Sequence, residues 1–318
     1  MTSQRLFRVA VVLVPGFSLM SFSSLVEPMR GVNRILRTKV FEWVLTSPDG
    51  GVLFASNGMA VDTLPCTNIR DGAFDLAVVC GGQEDETFAN RNLRSLLHHL
   101  RRRRITIGSV STATFILAEA GILEGRRCTT HWDYIDTFRE AHPAIEVTSE
   151  LFVMEDGIFT CAGGIAALDM MLIFIRGLCG SDIANLVSEN FIYGSIRDAH
   201  DSQQMSLQLR HGVSHPNIMS AVAAMEANIE TPLHLPEIAR MAGISQRHLE
   251  RLFREKMGVS ASRFYVQLRL EKARRLLRNS SVSILEIAVA TGFNSAAHFS
   301  RAFRGHFDRP PSADRRAP

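Results

Sequence analysis

Ser111 stands between an apolar run, Ile105-Thr-Ile-Gly-Ser-Val110, and a helix-forming run that begins at Thr112. A strand that turns sharply into a helix exposes one side chain beside unpaired helix amides, the placement that nucleophile elbows use. The Gly-x-Ser-x-Gly elbow asks for glycine at 109 and 113. This chain has Ser109 and Ala113, and its Gly108 is one position out of register. His131, in Thr129-Thr-His-Trp132, is a candidate base, and Asp133 or Asp169 a candidate orienting acid. Spacing alone does not select that trio from other combinations, and the residue types favour Ser111 as a helix-capping hydroxyl beside a pocket. The five cysteines (Cys66, Cys80, Cys128, Cys161 and Cys179) are odd in number and lack Cys-x-x-Cys spacing. That argues against a disulfide framework or structural zinc, so they read as small buried hydrophobes. His98 and His99 point to different helix faces and make a poor metal pair. No metal and no cofactor are expected.

A second kind of chemistry lies near the other end. Ile238-Ala-Arg-Met-Ala-Gly243-Ile-Ser245-Gln-Arg-His248 and Ile287-Ala-Val-Ala-Thr-Gly292-Phe-Asn-Ser295-Ala-Ala-His298 resemble each other at an offset of 49 residues, which becomes 50 after the glycine. Each copy carries an Ala that lets two helices approach, a Gly for the turn and a Ser to cap the second helix. Leu249, Leu252 and Phe253 form a buried face in the first copy, and Phe299, Ala302 and Phe303 in the second. The opposite face shows Arg247, Glu250, Arg251 and Arg254, then Ala296, Ala297, Ser300, Arg301 and Arg304. A helix with such a face fits the DNA major groove, where Arg contacts guanine bidentately and small side chains pack on a thymine methyl. Between the copies, Ser260 to Arg278 reads as one long helix with Phe264, Leu268, Ala273 and Leu276 inward, spacing the two readers. Arg269, Lys272, Arg274, Arg275 and Arg278 divide between phosphate contact and solvation.

The elements that must hold these residues follow from periodicity. Arg8 to Val14 is an unbroken apolar run closed by Pro15-Gly16, the pattern of a buried parallel strand. A helix from Leu19 to Leu36 follows, then strands at Phe41 to Ser47 and Asp75 to Cys80. A helix from Asn90 to Arg103 leads into the strand at Ile105 to Val110 and a helix from Thr112 to Gly121. Arg101 to Arg104 reads as the solvated end of the first of these helices. Leu151 to Met154 and Ile158 to Ala162 form a hairpin, and a helix from Gly164 to Leu178 completes the layer. Alternating strands and helices imply right-handed crossovers and a parallel sheet covered on both faces. Residues 198–217 are polar and read as a linker, and 218–318 as wholly helical.

The C-terminal motifs carry a family resemblance. Gly258-Val-Ser-Ala-Ser-Arg-Phe-Tyr265, Leu268-Arg-Leu-Glu-Lys-Ala-Arg-Arg-Leu-Leu277 and Gly292-Phe-Asn-Ser295 make residues 218–316 similar to the AraC/XylS-type DNA-binding domain. The resemblance implies a bipartite DNA reader, with base contacts at Arg247, Glu250, Arg251, Ala296, Ala297 and Arg301. Where that family often has Phe-Gly-x-x-Pro-Ser, this chain has Phe307-Asp-Arg-Pro-Pro-Ser312, expected to alter only a surface turn.

Residues 6–180 resemble the PfpI/ThiJ-type, class I glutamine-amidotransferase-like domain. The residues that carry this are Val14-Pro-Gly-Phe-Ser18, Glu27-Pro-Met-Arg30, Val79-Cys-Gly-Gly82, Leu117-Ala-Glu-Ala-Gly121, Thr129-Thr-His-Trp132 and Ala162-Gly-Gly-Ile-Ala-Ala-Leu-Asp169. The expected fold class is α/β, a parallel-sheet flavodoxin-like or amidotransferase-like sandwich, followed by an all-α domain with two helix-turn-helix motifs. Its parts are 1–197 for ligand sensing and dimerisation, 198–217 as linker and 218–318 for AraC-type DNA binding. Enzymatic members bear a Cys at the elbow, where this chain has Ser111, and an acid after the first strand, where it has Phe17-Ser-Leu19. The resemblance thus implies a retained pocket without catalysis, at the carboxyl ends of the strands: Phe17, Gly82, Gln83, Ser111, Thr112, His131 and Trp132. Phe17 and Trp132 are expected to cage a cationic amine. The implied effector is a small nitrogenous metabolite, an amino acid or quaternary amine. The alternative is an active amidohydrolase- or glyoxalase-like enzyme that uses Ser111, fused to a DNA-binding domain.

Composition sets the frame. At 318 residues, 46% hydrophobic and 21% charged, the chain is long enough for two globular domains. No apolar run approaches the roughly 18 residues of a membrane span, and the front lacks a secretory signal pattern, so a cytoplasmic protein is expected. The net charge of +3 divides unevenly: residues 1–197 carry −3, 198–215 carry −1 and 216–318 carry +7. A basic third on an acidic body suits a polyanionic partner. The expected function is a ligand-responsive regulator, an activator. Its partners would be promoter DNA at two adjacent major-groove sites, a small-molecule effector, a second copy of the chain and RNA polymerase.

Overall fold

A computed structural model describes residues 5–69, 72–82, 90–204 and 212–315. The chain forms two compact units, Met1–Gln203 and Gln204–Pro318.

The first unit is built on an eight-stranded sheet. Its strands are β1 (Phe7–Leu13), β2 (Phe41–Ser47), β3 (Gly51–Phe54), β4 (Ala60–Pro65), β5 (Leu76–Cys80), β6 (Thr106–Val110), β9 (Phe152–Glu155) and β10 (Ile158–Cys161), in the order β3-β4-β2-β1-β5-β6-β10-β9. The six central strands are parallel, and β3 and β9 lie antiparallel at the two edges. A separate parallel pair joins β7 (Arg127–Thr129) to β8 (Glu146–Thr148), with α4 (Ile135–Ala141) between them in the chain.

Because side chains alternate along a strand, β1 feeds two cores. Val9, Val11 and Leu13 pack on one face with Leu25 and Met29 of α1 (Leu19–Leu36) and Met170 and Ile175 of α5 (Ala166–Cys179). Ala10 and Val12 pack on the other with Leu93 and Leu97 of α2 (Arg91–Arg102) and Ile116 and Leu117 of α3 (Ala113–Glu119). Each such buried aliphatic side chain contributes about 1.5–3 kcal/mol, so double burial explains why β1 reads as an unbroken apolar run.

Several parts of the unit differ from the sequence expectation, which also names no element between Gly121 and Leu151, where β7, α4 and β8 lie. Strands β3 and β4 were missing from it, because Val52, Phe54, Met59 and Leu64 are exposed at a sheet edge where no alternating pattern is required. The helical layer does not end near Leu178. Gly180, at φ 91°, breaks the chain into a further helix, α6 (Ser181–Asn190), whose Val187 meets α1 where Gly31 leaves room. Residues 198–203 begin the expected linker, yet they are tied to the sheet: the Leu151 amide donates to the Ala199 carbonyl at 2.9 Å and Ser202 bridges Glu150.

The second unit is helical: α7 (Pro216–Ala227), α8 (Leu235–Met241), α9 (Gln246–Met257), α10 (Ala261–Asn279), α11 (Ile284–Ala290), α12 (Ala296–Phe307) and α13 (Pro311–Asp314). It holds two small cores. Ile218, Ile238, Leu249, Phe253 and Phe264 form one, and Leu270, Ile287, Phe299 and Phe303 the other. Helix α10 enters both. Its 19 residues span roughly 28 Å at 1.5 Å per residue, so one rigid rod joins the two helix-turn-helix motifs.

Candidate functional site

The β1–α1 and β5 connections leave the sheet on opposite sides, the switch point at which open parallel sheets place ligands. Gly82 lets them meet there: it bridges Phe17, and a Cβ on it would overlap the Gly16 carbonyl. Beside this crevice β6 turns into α3 at Ser111, whose φ of +63° is rare for a non-glycine residue. Two hydrogen bonds hold the strained turn. The Ser111 amide donates to the Cys161 carbonyl at 2.9 Å, and the Thr130 hydroxyl donates to the Ser111 carbonyl at 3.1 Å. Thr112 donates its hydroxyl to the Gly82 carbonyl, tying the elbow to the end of β5. Gly163 completes the arrangement, since a Cβ there would come within 2.9 Å of the Ser111 Cβ.

A cavity of about 290 Å³ opens over the elbow. Ser18 and Ser21 reach it from the start of α1, Ser56 and Asn57 from the β3–β4 turn, and Gly82 from β5. Ser111 and Thr112 form its floor, with His131 and Tyr134 beyond β7 and Gly164 before α5. Among the described residues no Asp, Glu, Lys or Arg lines it. Burial holds the His131 pKa below the usual histidine value despite the opposing charge of Asp133, so the ring is neutral at pH 7. Its Nδ1 accepts the Asp133 amide at 3.3 Å, which leaves the proton on Nε2. The ring is thereby a hydrogen-bond donor, and among the described residues no hydrogen bond joins it to the Ser111 hydroxyl.

The structure brings together four residues expected at the pocket: Gly82, Ser111, Thr112 and His131. Phe17 bridges Gly82 beside them but is fully buried, its ring edge-on to Phe22 at 5.7 Å, and it is not part of the cavity wall. Trp132 sits 5.6 Å from the His131 ring and is not part of the cavity wall. Among the described residues neither ring of the expected cage lines the cavity, and the aromatic wall is Tyr134, which the sequence did not single out. Gln83 lies outside the described residues. Asp169 is no orienting acid for His131. It is fully buried and accepts the Tyr193 hydroxyl at 2.9 Å and the Arg197 amide and guanidinium at 2.7–2.9 Å. Burial raises the thiol pKa of Cys128 to about 12 and pushes those of Cys80 and Cys161 well up, so none of the three is a nucleophile near neutral pH. Among the described residues no group of His, Cys, Asp or Glu is placed to hold a metal, and no helix is long and apolar enough to cross a membrane.

In the second unit each motif is fixed by its caps. Ser245 accepts the His248 amide and Ser295 the His298 amide, both at 3.2 Å, and Gly243 and Gly292 adopt φ of 69° and 72°. Arg247, Arg251 and Arg254 are exposed on α9, as are Ala297, Arg301 and Arg304 on α12, with Ala296 and Ser300 half-buried. Glu250 differs from its neighbours. Its carboxylate accepts the Ala261 amide at 3.4 Å and so caps α10 from the side.

Several basic residues expected to meet phosphate or solvent have internal partners instead. The Arg269 guanidinium donates to the Thr291 and Gly292 carbonyls at 2.8 and 2.6 Å and lies 4.1 Å over the Phe293 ring. Arg274, Arg278 and Arg309 converge on Asp314, which is fully buried. The Phe307–Ser312 stretch is thus more than an altered surface turn. Asp308 takes the left-handed conformation, at φ 57°, where the resembling family has Gly, and the chain beyond it locks α13 onto α10. Arg101 and Arg103 likewise donate to the Ile122 and Gly72 carbonyls.

Residues 7–176 match the DJ-1/PfpI family, and residues 238–317 match a helix-turn-helix domain family. Over 310 residues the chain is 41% identical to the HTH-type transcriptional regulator CdhR of Pseudomonas aeruginosa, covering 96% of this chain and 90% of that protein. It is 37% identical to the HTH-type transcriptional regulator GlxA of Rhizobium meliloti over 314 residues, or 99% and 97%. Among solved structures, an AraC family transcriptional regulator from Pseudomonas putida aligns at a TM-score of 0.53 with 25% identity, over 58% of this chain and 99% of that one. Drosophila melanogaster DJ-1beta aligns at 0.52 with 16% identity, over 60% and 100%, a likeness of fold.

Proposed function

Since this chain belongs to the HTH-type transcriptional regulators that couple a DJ-1/PfpI domain to an AraC-type DNA-binding domain, we propose that it is an effector-responsive activator, binding DNA through α9 and α12. The reading divides the chain into a sensing and dimerising body at 1–197, a linker at 198–217 and a DNA-binding part at 218–318. It works as a cytoplasmic homodimer that engages RNA polymerase. One observation carries it: two capped helix-turn-helix motifs, held on one 19-residue rod, present matching exposed arginines at Arg251 and Arg301. Two such helices suit adjacent major-groove sites.

The effector in this reading is a small amino acid or quaternary amine. Supporting it is a cavity whose wall is hydroxyls, an amide and the neutral His131 donor, which suits a carboxylate end. The Tyr134 ring is the aromatic face available to the cationic end. Occupancy shifts a conformational equilibrium of the sensor. The body is not a catalyst in this reading. The rival, an enzyme using Ser111, is favoured by one feature, the strained backbone of Ser111. Substrate turnover that vanished in Ser111→Ala would establish it.

The test is a gel-shift titration on the cognate promoter. Arg251→Ala and Arg301→Ala should each weaken specific binding by about 1–3 kcal/mol, roughly 5- to 150-fold. Unchanged affinity in both variants refutes the assignment of these helices. A thermal-shift screen of L-amino acids and trimethylammonium carboxylates on the full chain tests the sensor.

A further inference from the structure

The segment Arg197–Gln203 leaves the sensor's last helical layer and leads directly to residue 204, where the second unit begins. It does not cross the surface as a free tether. Its first residue is held by the buried Asp169 carboxylate through backbone and guanidinium. Its middle accepts the Leu151 amide at Ala199 and places His200 Nδ1 3.1 Å from Glu150. Its last residue, Gln203, directs its side-chain amide nitrogen at three oxygens: the Thr129 hydroxyl at 2.8 Å, the Thr130 carbonyl at 3.0 Å and the Glu150 carbonyl at 2.8 Å. Two amide hydrogens cannot fully satisfy three acceptors, and among the described residues the buried Gln203 Oε1 has no hydrogen-bond partner. The contact is therefore poised rather than saturated.

Thr130 makes this placement informative. Its carbonyl, in the peptide bond that leads to His131, accepts from Gln203, while its hydroxyl donates to the carbonyl of Ser111. Ser111 and His131 both line the cavity. Two hydrogen bonds through one fully buried residue thus separate the cavity floor from the last residue of the sensor.

We infer that Arg197–Gln203 is a coupling strap, with Gln203 as the positioning residue that ties occupancy of the Ser111–His131 cavity to the segment entering the DNA-binding unit. The inference rests on the sensor reading of that cavity. A molecule that shifts Ser111 or His131 moves the Thr130 carbonyl and loosens or tightens Gln203. By linkage, strap docking alters affinity at the cavity by the same factor.

The experiment uses the full chain in two arms. Without any added compound, Thr130→Val removes the hydroxyl to Ser111 while leaving the backbone carbonyl that Gln203 holds. Amide hydrogen exchange at Arg197 and Leu151, whose hydrogen bonds report strap docking, should quicken about 2- to 12-fold, the change that follows loss of one net hydrogen bond. Amides of β1 and β5 should stay protected, which shows that the variant is folded. Gln203→Leu, which does not alter the elbow itself, should quicken the same two amides. Unchanged exchange at Arg197 and Leu151 in both variants overturns the strap.

In the second arm, panels of L-amino acids and trimethylammonium carboxylates are tested for thermal shift and for change in promoter affinity. A compound that stabilises the wild type and alters its promoter affinity about fivefold or more should still stabilise Gln203→Leu but no longer change its promoter affinity. Full retention of that response in Gln203→Leu refutes the strap and leaves the sensor intact. Failure of every compound on the wild type counts against the effector class, and the exchange arm then decides the strap alone.

Discussion

Arg269 separates a structural cation from a DNA-reading one. Replacing it with Met keeps the aliphatic stem and deletes two charged hydrogen bonds, to Thr291 and Gly292, together with the contact over Phe293. Hydrogen bonds to charged groups contribute about 1.5–3 kcal/mol each, and a guanidinium over an aromatic ring about 0.5–2 kcal/mol. Burial of the guanidinium opposes this, as the lowering of its pKa shows, and so does the side-chain entropy released on truncation. The net loss should be about 2–4 kcal/mol for the second unit. With a urea slope of about 2 kcal/mol/M for a unit of this size, the midpoint falls by roughly 1–2 M. The two units can be followed separately, because Trp43 and Trp132 both belong to the first and tryptophan fluorescence reports it alone. Far-UV circular dichroism reports the helices of both units, so a dichroism transition that the fluorescence does not follow belongs to the second. Arg269→Lys should recover only part of the loss, since an ammonium cannot span two carbonyls as a planar fork does. A phosphate-contacting Arg269 gives the opposite pattern: urea midpoints unchanged, Lys nearly equivalent to Arg, and a salt slope for DNA binding smaller by about one. That pattern would refute the structural assignment.

Asp314→Asn should destabilise the second unit by about 3 kcal/mol, the cost of breaking a buried ion pair, read as a loss of helical dichroism at lower urea. Burial alone would raise the Asp314 pKa, but hydrogen bonds from Arg278 and Arg274 outweigh it and hold the carboxyl below its ordinary range. The folded pKa is therefore below the unfolded one. Its contribution is present above about pH 4 and is lost as pH falls through the folded value, and Asp314→Asn should flatten that acid limb. Gly82→Ala drives a Cβ into the Gly16 carbonyl and should cost the first unit about 2 kcal/mol or more, measured by tryptophan fluorescence. Burial lowers the pKa of both His131 and His142. Unfolded histidines take up protons first, so the first unit should lose stability as pH falls from about 6.5 toward the folded values. His131→Gln should reduce that loss, and a wild-type melting temperature equal at pH 7.5 and 5.5 would contradict this.

The local parts of the molecule were legible because their causes are local. Ser245 and Ser295 cap amides three residues away, and Gly243 and Gly292 supply the positive φ that each turn needs. The position of the strand-to-helix elbow at Ser111 is legible from its flanking runs, whereas its strained turn is held from afar, by Cys161, Thr130 and Gly163. The edge strands β3 and β4 were not legible, since residues exposed on a sheet margin carry no burial pattern to read. Nor was the role of the arginines, because a guanidinium looks alike in sequence whether it meets a phosphate or solvent, the two readings open for Arg269, or a backbone carbonyl, as it does.

By itself the sequence determined an α/β body followed by two helix-turn-helix motifs on one spacer, because periodicity, caps and turns act over a few residues. Tertiary structure decided which side chains meet. Asp169 was free in sequence to serve His131 and is instead consumed by Arg197 and Tyr193. Phe17 was free to face a ligand and is instead buried, leaving Tyr134 at the wall. Gln203, polar and in a stretch that reads as a linker, lies 74 positions from Thr129 and bonds to it. Pairings over such distances depend on how the sheet brings strand ends together, and no spacing along the chain encodes them.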